Sequence, residues 1–134
     1  MLKRNKEYMY AAKRLIRNHP SLADLKDSGA RIAYLESDEE KKLAKGKVVC
    51  ADCNLVSKKY KWCCDYDFFI VVYEPNITDF TPEQIEILLL HELMHCGISF
   101  DGKEPTYYIV PHDVEDFREI LDTYGIDWAR QGMA

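Results

Sequence analysis

The segment from Thr81 to Gly97, TPEQIEILLLHELMHCG, constrains the fold of this chain more than any other part of the sequence. Thr81 is a favoured N-cap residue, Pro82 suits the first helical position, and Gln84 completes a capping-box pattern, so a helix is predicted to begin here. The apolar content runs to Met94, and Gly97 is the predicted C-cap. Because the interior of this helix is almost uniformly apolar, the remainder of the chain is expected to pack around it.

Three titratable residues interrupt this apolar helix in the pattern His-Glu-x-x-His. His91 and His95 are four positions apart, so their imidazoles lie on one helical face, the geometry that two ligands need to share a tetrahedral Zn²⁺. Glu92 lies about 100° round the helix, within reach of a water molecule at the metal, as a general base would. The pattern also occurs by chance in buried helices, but burying these groups unpaired would cost several kcal/mol. The apolar flanks therefore favour a metal site.

A third ligand is expected downstream, because catalytic zinc sites usually have three protein ligands. The chain has four histidines, and His19, in NHPS, is predicted to be an exposed turn residue. His112 opens PHDVEDF (111–117) and is the best candidate, since imidazole is a preferred zinc ligand. Three acids follow His112 closely: Asp113, Glu115 and Asp116. They are alternative metal ligands, or they orient His112 by a hydrogen bond, or their negative charge only stabilises the N-terminus of the predicted helix.

The rest of the chain predicts a single α+β domain over residues 1–134, with a small, mostly antiparallel sheet. Residues 47–56 and 66–75 are the clearest strands, and they are predicted to form an antiparallel hairpin. The other predicted elements are an N-terminal helix over 2–18, a strand over 30–37, a short helix between Ser37 and Gly46, a strand over 106–110 and a final amphipathic helix over 112–124.

Charge and composition exclude several classes of protein. The net charge is −5 and the sequence pI is about 5.4, which argues against a nucleic-acid-binding protein. No apolar run approaches the length of a membrane span, and the N-terminus lacks a signal core, so a cytoplasmic protein without a membrane partner is expected. Basic residues concentrate in 1–17 and acidic residues in 112–127; two solvated faces, mutual attraction or an acidic partner would each explain this.

The cysteines give only a weak signal for a second metal. Five free thiols suit a reducing compartment. Residues three apart in a strand face opposite sides, so Cys50 and Cys53 would diverge, and the adjacent Cys63 and Cys64 would also point apart. A structural zinc site at these four cysteines is therefore not favoured. Cys96, beside His95, is predicted to be a small buried residue.

Two tyrosines lie between the second and third candidate ligands. The hydroxyl group of Tyr107 or Tyr108 could stabilise a tetrahedral oxyanion. Packing as the aromatic pair of a strand is the favoured interpretation, with one of the rings lining the cleft.

LLLHELMHCG followed by PHDVEDF, and preceded by RIAYLES and YDFFIVVYEPN, resembles the phage metallopeptidase domain family. The resemblance covers roughly residues 25–125. It implies a compact zincin-like fold, zinc ligands His91, His95 and His112, the base Glu92, and a location in the cytoplasm of a bacterial host. It also implies kinship with SprT-like proteases, although the acidic charge makes a DNA-bound role unexpected. It supplies a reaction class without a substrate.

Two functions from different classes are consistent with these features. The first is a zinc endopeptidase that aligns a peptide or protein substrate along an edge strand, with 47–56 as the candidate. The second is a non-catalytic, metal-stabilised binding or regulatory protein of a phage or prophage. Glu92 favours the first, because a purely structural site needs no general base.

Overall fold

The computed structural model describes residues 1–44 and 46–112. In chain order, the strands and helices are β1 (Leu2–Arg4), α1 (Lys6–Asn18), α2 (Ala23–Ser28), β2 (Ile32–Ser37), β3 (Ala51–Leu55), β4 (Phe68–Tyr73), α3 (Pro82–Met94), β5 (Cys96–Ser99) and β6 (Thr106–Ile109). Short 3₁₀ turns occur at Pro20–Leu22, Lys58–Tyr60 and Glu74–Asn76. This is the α+β class that the sequence predicts.

The main sheet has four strands in the order β1-β2-β4-β3. The β3–β4 pair is antiparallel, with Cys53 opposite Ile70, so the predicted hairpin is confirmed. The β1–β2 pair is also antiparallel, but β2 and β4 run parallel, with Tyr34 beside Ile70. The sheet is therefore mixed, and β3 forms one of its edges. Strands β5 and β6 make a separate antiparallel pair.

The hydrophobic core lies between one face of this sheet and the helices. Alternate residues of β4 point into it, and Phe68 and Ile70 are fully buried. Leu89 and Leu93 of α3 are also fully buried, and α3 packs against α1, whose Ala12 is inaccessible. Helix α3 contacts α1, β3 of the main sheet and β5. Because it is packed on several sides, it is apolar around most of its circumference.

The N-terminal helix begins later than the sequence predicts. Residues Leu2–Arg4 pair with β2, and the helix starts at Lys6, after an Asn5 N-cap whose side chain accepts a hydrogen bond of 2.9 Å from the Tyr8 amide. A local cap and pairing with a strand more than thirty residues away override the helical pattern of the first residues.

The predicted short helix between Ser37 and Gly46 is wrong. The Ser37 hydroxyl accepts a hydrogen bond from the Glu39 amide in a tight turn, and the described residues that follow form a narrow hairpin with Lys42 opposite Val48. Gly46 has a φ of +76°, which suits the tip of this hairpin. An isolated polar helix of this length is marginal, because nucleation is costly.

Helix α3 begins as predicted and ends earlier. The Thr81 hydroxyl accepts from the Gln84 amide at 3.2 Å, and the Gln84 side chain accepts from the Thr81 amide at 2.9 Å. The C-cap is His95, and Gly97 lies within β5, so the predicted Gly97 cap is wrong. A Cβ atom at Gly97 would collide with the ring of Tyr108 across the β5–β6 pair, which explains the glycine.

The predicted helix over 112–124 falls beyond His112 and lies outside the described residues. No helix in the described ranges combines the length and the apolar character that crossing a membrane requires.

Candidate metal centre

Three histidines converge at the C-terminal end of α3. His91 lies in the last turn of the helix, His95 is its C-cap, and His112 arrives from the segment after β6. Each can offer one ring nitrogen such that the three atoms lie within 4.8 Å of one another. The Nε2 atoms of His91 and His112 are 2.9 Å apart, and the ring centroids of His95 and His112 are separated by 4.4 Å.

A backbone carbonyl determines the orientation of the His95 ring. The Nδ1 atom of His95 lies 2.6 Å from the Val110 carbonyl oxygen. A carbonyl can only accept, so Nδ1 carries the proton and donates it. The other nitrogen, Nε2, is therefore the one with a lone pair. Hydrogen bonding of this kind fixes the tautomer of metal-binding histidines.

The three imidazoles fit a zinc ion. Bonds of about 2.0–2.1 Å in tetrahedral geometry place two ligand nitrogens roughly 3.3 Å apart. The Nε2 atoms of His91 and His112 lie close to this spacing, and all three donor atoms lie within 4.8 Å of one another, so the group could hold a metal ion. An all-imidazole donor set suits zinc better than calcium or magnesium, which prefer oxygen. His91 and His95 are partly buried and His112 is exposed.

Glu92 follows His91 in α3 and is buried. Its side chain is only 4% exposed, which is unusual for a glutamate. Burial raises the pKa of the Cys50 thiol, and the Glu92 charge raises it further, so the carboxylate lies close to the beginning of β3. The pKa of Cys96 is also raised, first by its contact with Cys53 and by burial, and then by Glu92. The Glu92 carboxylate therefore lies near the thiols of Cys50 and Cys96.

The other candidate metal ligands in the sequence are His19 and three acids, and none of them belongs to this histidine cluster in the described residues. His19 caps the Pro20–Leu22 turn, where its Nδ1 accepts from the Ser21 amide, as the predicted turn residue. The three acids that the sequence offers as alternative ligands, or as groups that orient His112, lie outside the described residues: Asp113, Glu115 and Asp116.

The cysteines do not form a second metal cluster in residues 1–44 and 46–112, where the three histidines are the only candidate group. Cys53 contacts Cys96, with their sulfur atoms 3.6 Å apart, and Cys63 is exposed. Cys96 is buried, as predicted.

The two tyrosines of β6 differ in their surroundings. Tyr107 packs edge-to-face on Phe68, with 5.5 Å between ring centroids, in agreement with the favoured packing role. Tyr108 is 49% exposed and covers Gly97.

Sequence reasoning missed the contribution of Val110. Acidic side chains were expected to orient His112, and no partner was predicted for His95, whose hydrogen-bond acceptor is a main-chain oxygen. No residue type signals a carbonyl acceptor, since every residue has one. The position of Val110, two residues before a candidate ligand at the end of a predicted strand, was the only available hint.

The fold and this cluster define a class: an α+β protein with a His-Glu-x-x-His helix and a third histidine close to the other two, a group that could hold a metal ion. A family model described as Putative phage metallopeptidase matches residues 1–133, and the chain belongs to this family. Neither a curated protein nor a solved structure shows significant similarity to the chain. The family indicates a metal-dependent peptidase.

Proposed function

We propose that this protein is a zinc endopeptidase, with His91, His95 and His112 as metal ligands and Glu92 as general base. The observation that carries the proposal is the convergence of three imidazoles beside a buried glutamate. Family membership supports a metal-dependent peptidase independently of this geometry.

The metal and the protein have separate tasks. Zinc, when bound, would supply Lewis acidity, which polarises a peptide carbonyl and makes water a better nucleophile. His95 would present Nε2 in a fixed direction, because its Nδ1–H is held by the Val110 carbonyl. His91 and His112 approach each other from different parts of the chain, so binding would connect α3 to the segment after β6.

Glu92 would move the proton. Its carboxylate would accept a proton from the attacking water and then donate it to the leaving amine nitrogen. Burial keeps this group out of bulk solvent, and the neighbouring thiols of Cys50 and Cys96 have raised pKa values, so they stay protonated and do not compete as nucleophiles.

The substrate would bind along β3. The Tyr73 amide donates to the Cys50 carbonyl and the Val56 amide donates to the Asp67 carbonyl, so even-numbered residues of this strand pair with β4. The amide and carbonyl groups of Ala51, Cys53 and Leu55 therefore point to the open edge. An extended peptide could add there by main-chain hydrogen bonds. Cys53 contacts Cys96, the residue after His95, which puts this edge beside the candidate metal centre.

A non-catalytic, metal-stabilised binding protein is the second candidate. The observation that favours it is the burial of Glu92, since a general base must reach a substrate-side water. In this alternative the metal connects α3 to the segment that carries His112, and the open edge of β3 binds a partner without cleavage.

Zinc content and peptide cleavage distinguish the two functions. The zinc-loaded protein, the chelator-treated protein and zinc-loaded Glu92→Gln are incubated with an unfolded protein substrate, and products are identified by mass spectrometry. We expect cleavage by the first sample alone, with zinc content unchanged in Glu92→Gln because glutamine is nearly isosteric. Glu83→Gln, an exposed acid in the first turn of the same helix, is the matched control. Equal cleavage by Glu92→Gln, or ligation by sulfur in X-ray absorption, would contradict the proposal.

A further inference from the structure

The hairpin before β3 is built from two short arms, residues 41–44 and 46–49. The Leu43 amide donates to the Lys47 carbonyl at 2.8 Å, and the Val49 amide donates to the Lys41 carbonyl at 3.1 Å. Lys42 lies directly opposite Val48. We refer to these two arms as the 41–49 hairpin.

The base of the hairpin is held firmly. The side-chain amide of Asn76 donates to the carbonyls of both Lys41 and Val49, at 3.0 and 2.8 Å. The Lys41 ammonium binds the Asp52 carboxylate at 2.6 Å, and the Tyr73 hydroxyl donates to the same carboxylate at 2.7 Å. Both arms are therefore attached to the sheet, and the hairpin has a defined position relative to β3.

The first arm ends the open edge of the sheet. The Cys50 carbonyl faces β4, whereas the Val49 amide bonds to Lys41 instead of β4. The 41–44 arm thus occupies the main-chain donor of Val49, just before β3 begins. Among residues 1–44 and 46–112, the main-chain groups left open on this edge begin at Ala51. A peptide added to this edge must have one end against the hairpin.

The chemistry of the hairpin is the same on both of its faces. Opposed residues share a face, so Lys42 lies with Val48, and Leu43 lies with Lys47. Each face thus pairs one lysine with one apolar residue. The two apolar side chains are open to solvent, with Leu43 52% and Val48 46% exposed, and both lysines are exposed. A peptide against either face meets a cation beside an apolar surface.

We infer that the 41–49 hairpin determines substrate specificity and selects extended peptides that carry an acidic residue next to an apolar one. The inference rests on the proposed function, because it takes the open edge of β3 as the substrate site. Charge complementarity to the exposed lysines gives the acidic preference, and Leu43 or Val48 gives the apolar one.

The test uses two pools of internally quenched peptides of randomised sequence, one with a fixed Glu-Leu pair and one with a fixed Lys-Leu pair. Cleavage by the zinc-loaded wild type is compared with that by Lys42→Glu, Lys47→Glu and the double variant. We expect the wild type to cleave the Glu-Leu pool roughly tenfold faster than the Lys-Leu pool, and the double variant to lose or reverse that preference. The difference between wild type and double variant should shrink at high salt, because salt screens exposed charges. The single variants identify the face that meets the peptide.

The matched control reverses Lys13 and Arg17, two exposed cations on the outer face of α1, and should keep the wild-type preference. Unchanged preference in the double variant, or no preference in the wild type, overturns the inference. If the wild type cleaves neither pool, the proposed catalytic function fails. The hairpin is then tested by binding: fluorescence anisotropy should show that the wild type binds the Glu-Leu peptides more tightly than the Lys-Leu peptides and that the double variant does not. Equal binding of the two pools by the wild type, or an unchanged preference in the double variant, overturns the inference.

Discussion

His95 and Val110 are hydrogen-bonded to each other twice. The Val110 amide donates to the His95 carbonyl at 2.8 Å, and His95 Nδ1 donates to the Val110 carbonyl at 2.6 Å. The first bond satisfies a carbonyl at the end of α3, and the second directs the imidazole. Because His112 is two residues further on, this pair also brings the third histidine to the site.

Replacing His112 with alanine should remove most of the stabilisation by zinc. A ligand that binds only the folded state raises stability by mass action, so a hundredfold loss of affinity corresponds to about 2.7 kcal/mol at saturating wild-type conditions. Melting curves with and without zinc should show a large shift for the wild type and a small one for His112→Ala, with equal midpoints in the absence of metal. His19→Ala is the control. Equal shifts in wild type and His112→Ala would exclude His112 as a ligand.

Removing the Thr81 cap should destabilise the fold without changing the metal centre. Thr81 and Gln84 satisfy each other's main-chain amides at the start of α3, whereas the histidines lie at its other end. Thr81→Ala should lower the free energy of unfolding by about 1 kcal/mol, and zinc affinity should stay unchanged. Thr78→Ala, at an exposed position before the helix, is the comparison. A comparable loss in Thr78→Ala would show that the cap is not the cause.

Removing the Tyr8 hydroxyl should reduce the sensitivity of the protein to alkali. Burial, followed by its hydrogen bond to Glu74, raises the pKa of Tyr8 well above its usual value. Above pH of about 10, the unfolded chain loses a proton that the folded chain keeps. The free energy of unfolding that protonated Tyr8 contributes is therefore fully present below that pH. It decreases as the pH rises further, by up to about 1.4 kcal/mol per pH unit.

Denaturant unfolding of the wild type and Tyr8→Phe at pH 8 to 11.5 measures this slope. The phenylalanine variant should be less stable at pH 8, because the Glu74 hydrogen bond is lost, but its stability should fall less steeply above pH 10. Tyr10→Phe, at an exposed position on α1, provides the reference. Parallel slopes for wild type and Tyr8→Phe would contradict the assignment.

Asn76→Ala should loosen the 41–49 hairpin while leaving the histidine cluster intact. The side-chain amide of Asn76 bonds to one carbonyl in each arm, so its loss removes the bridge between them. We expect the free energy of unfolding to fall by about 1–3 kcal/mol, with faster amide hydrogen exchange confined to residues 42–48. Thr78→Ala, at an exposed position two residues further on, should leave exchange in the hairpin unchanged. Exchange that rises equally throughout the sheet would show that Asn76 acts globally.

The sequence alone determined the local parts of this protein. The capping box at Thr81 and the four-residue spacing of His91 and His95 follow from helical geometry, which depends on neighbouring residues only. The β3–β4 hairpin was also predictable, because its two strands are close in sequence and strongly β-forming. The ligand role of the histidines stays a prediction until a metal is measured.

Tertiary structure decided the non-local parts. The parallel pairing of β2 with β4 and the β1–β2 pair depend on contacts between distant segments, which a local pattern cannot encode. The pattern after Ser37 predicts a short helix, yet the segment is a hairpin whose base is held by Asp52 and by Asn76, which is 35 residues from Lys41. His112 reaches the site because the main chain of Val110 bonds to the carbonyl and to the ring of His95. Main-chain groups are identical in every residue type, so only the folded chain reveals which of them meet a histidine.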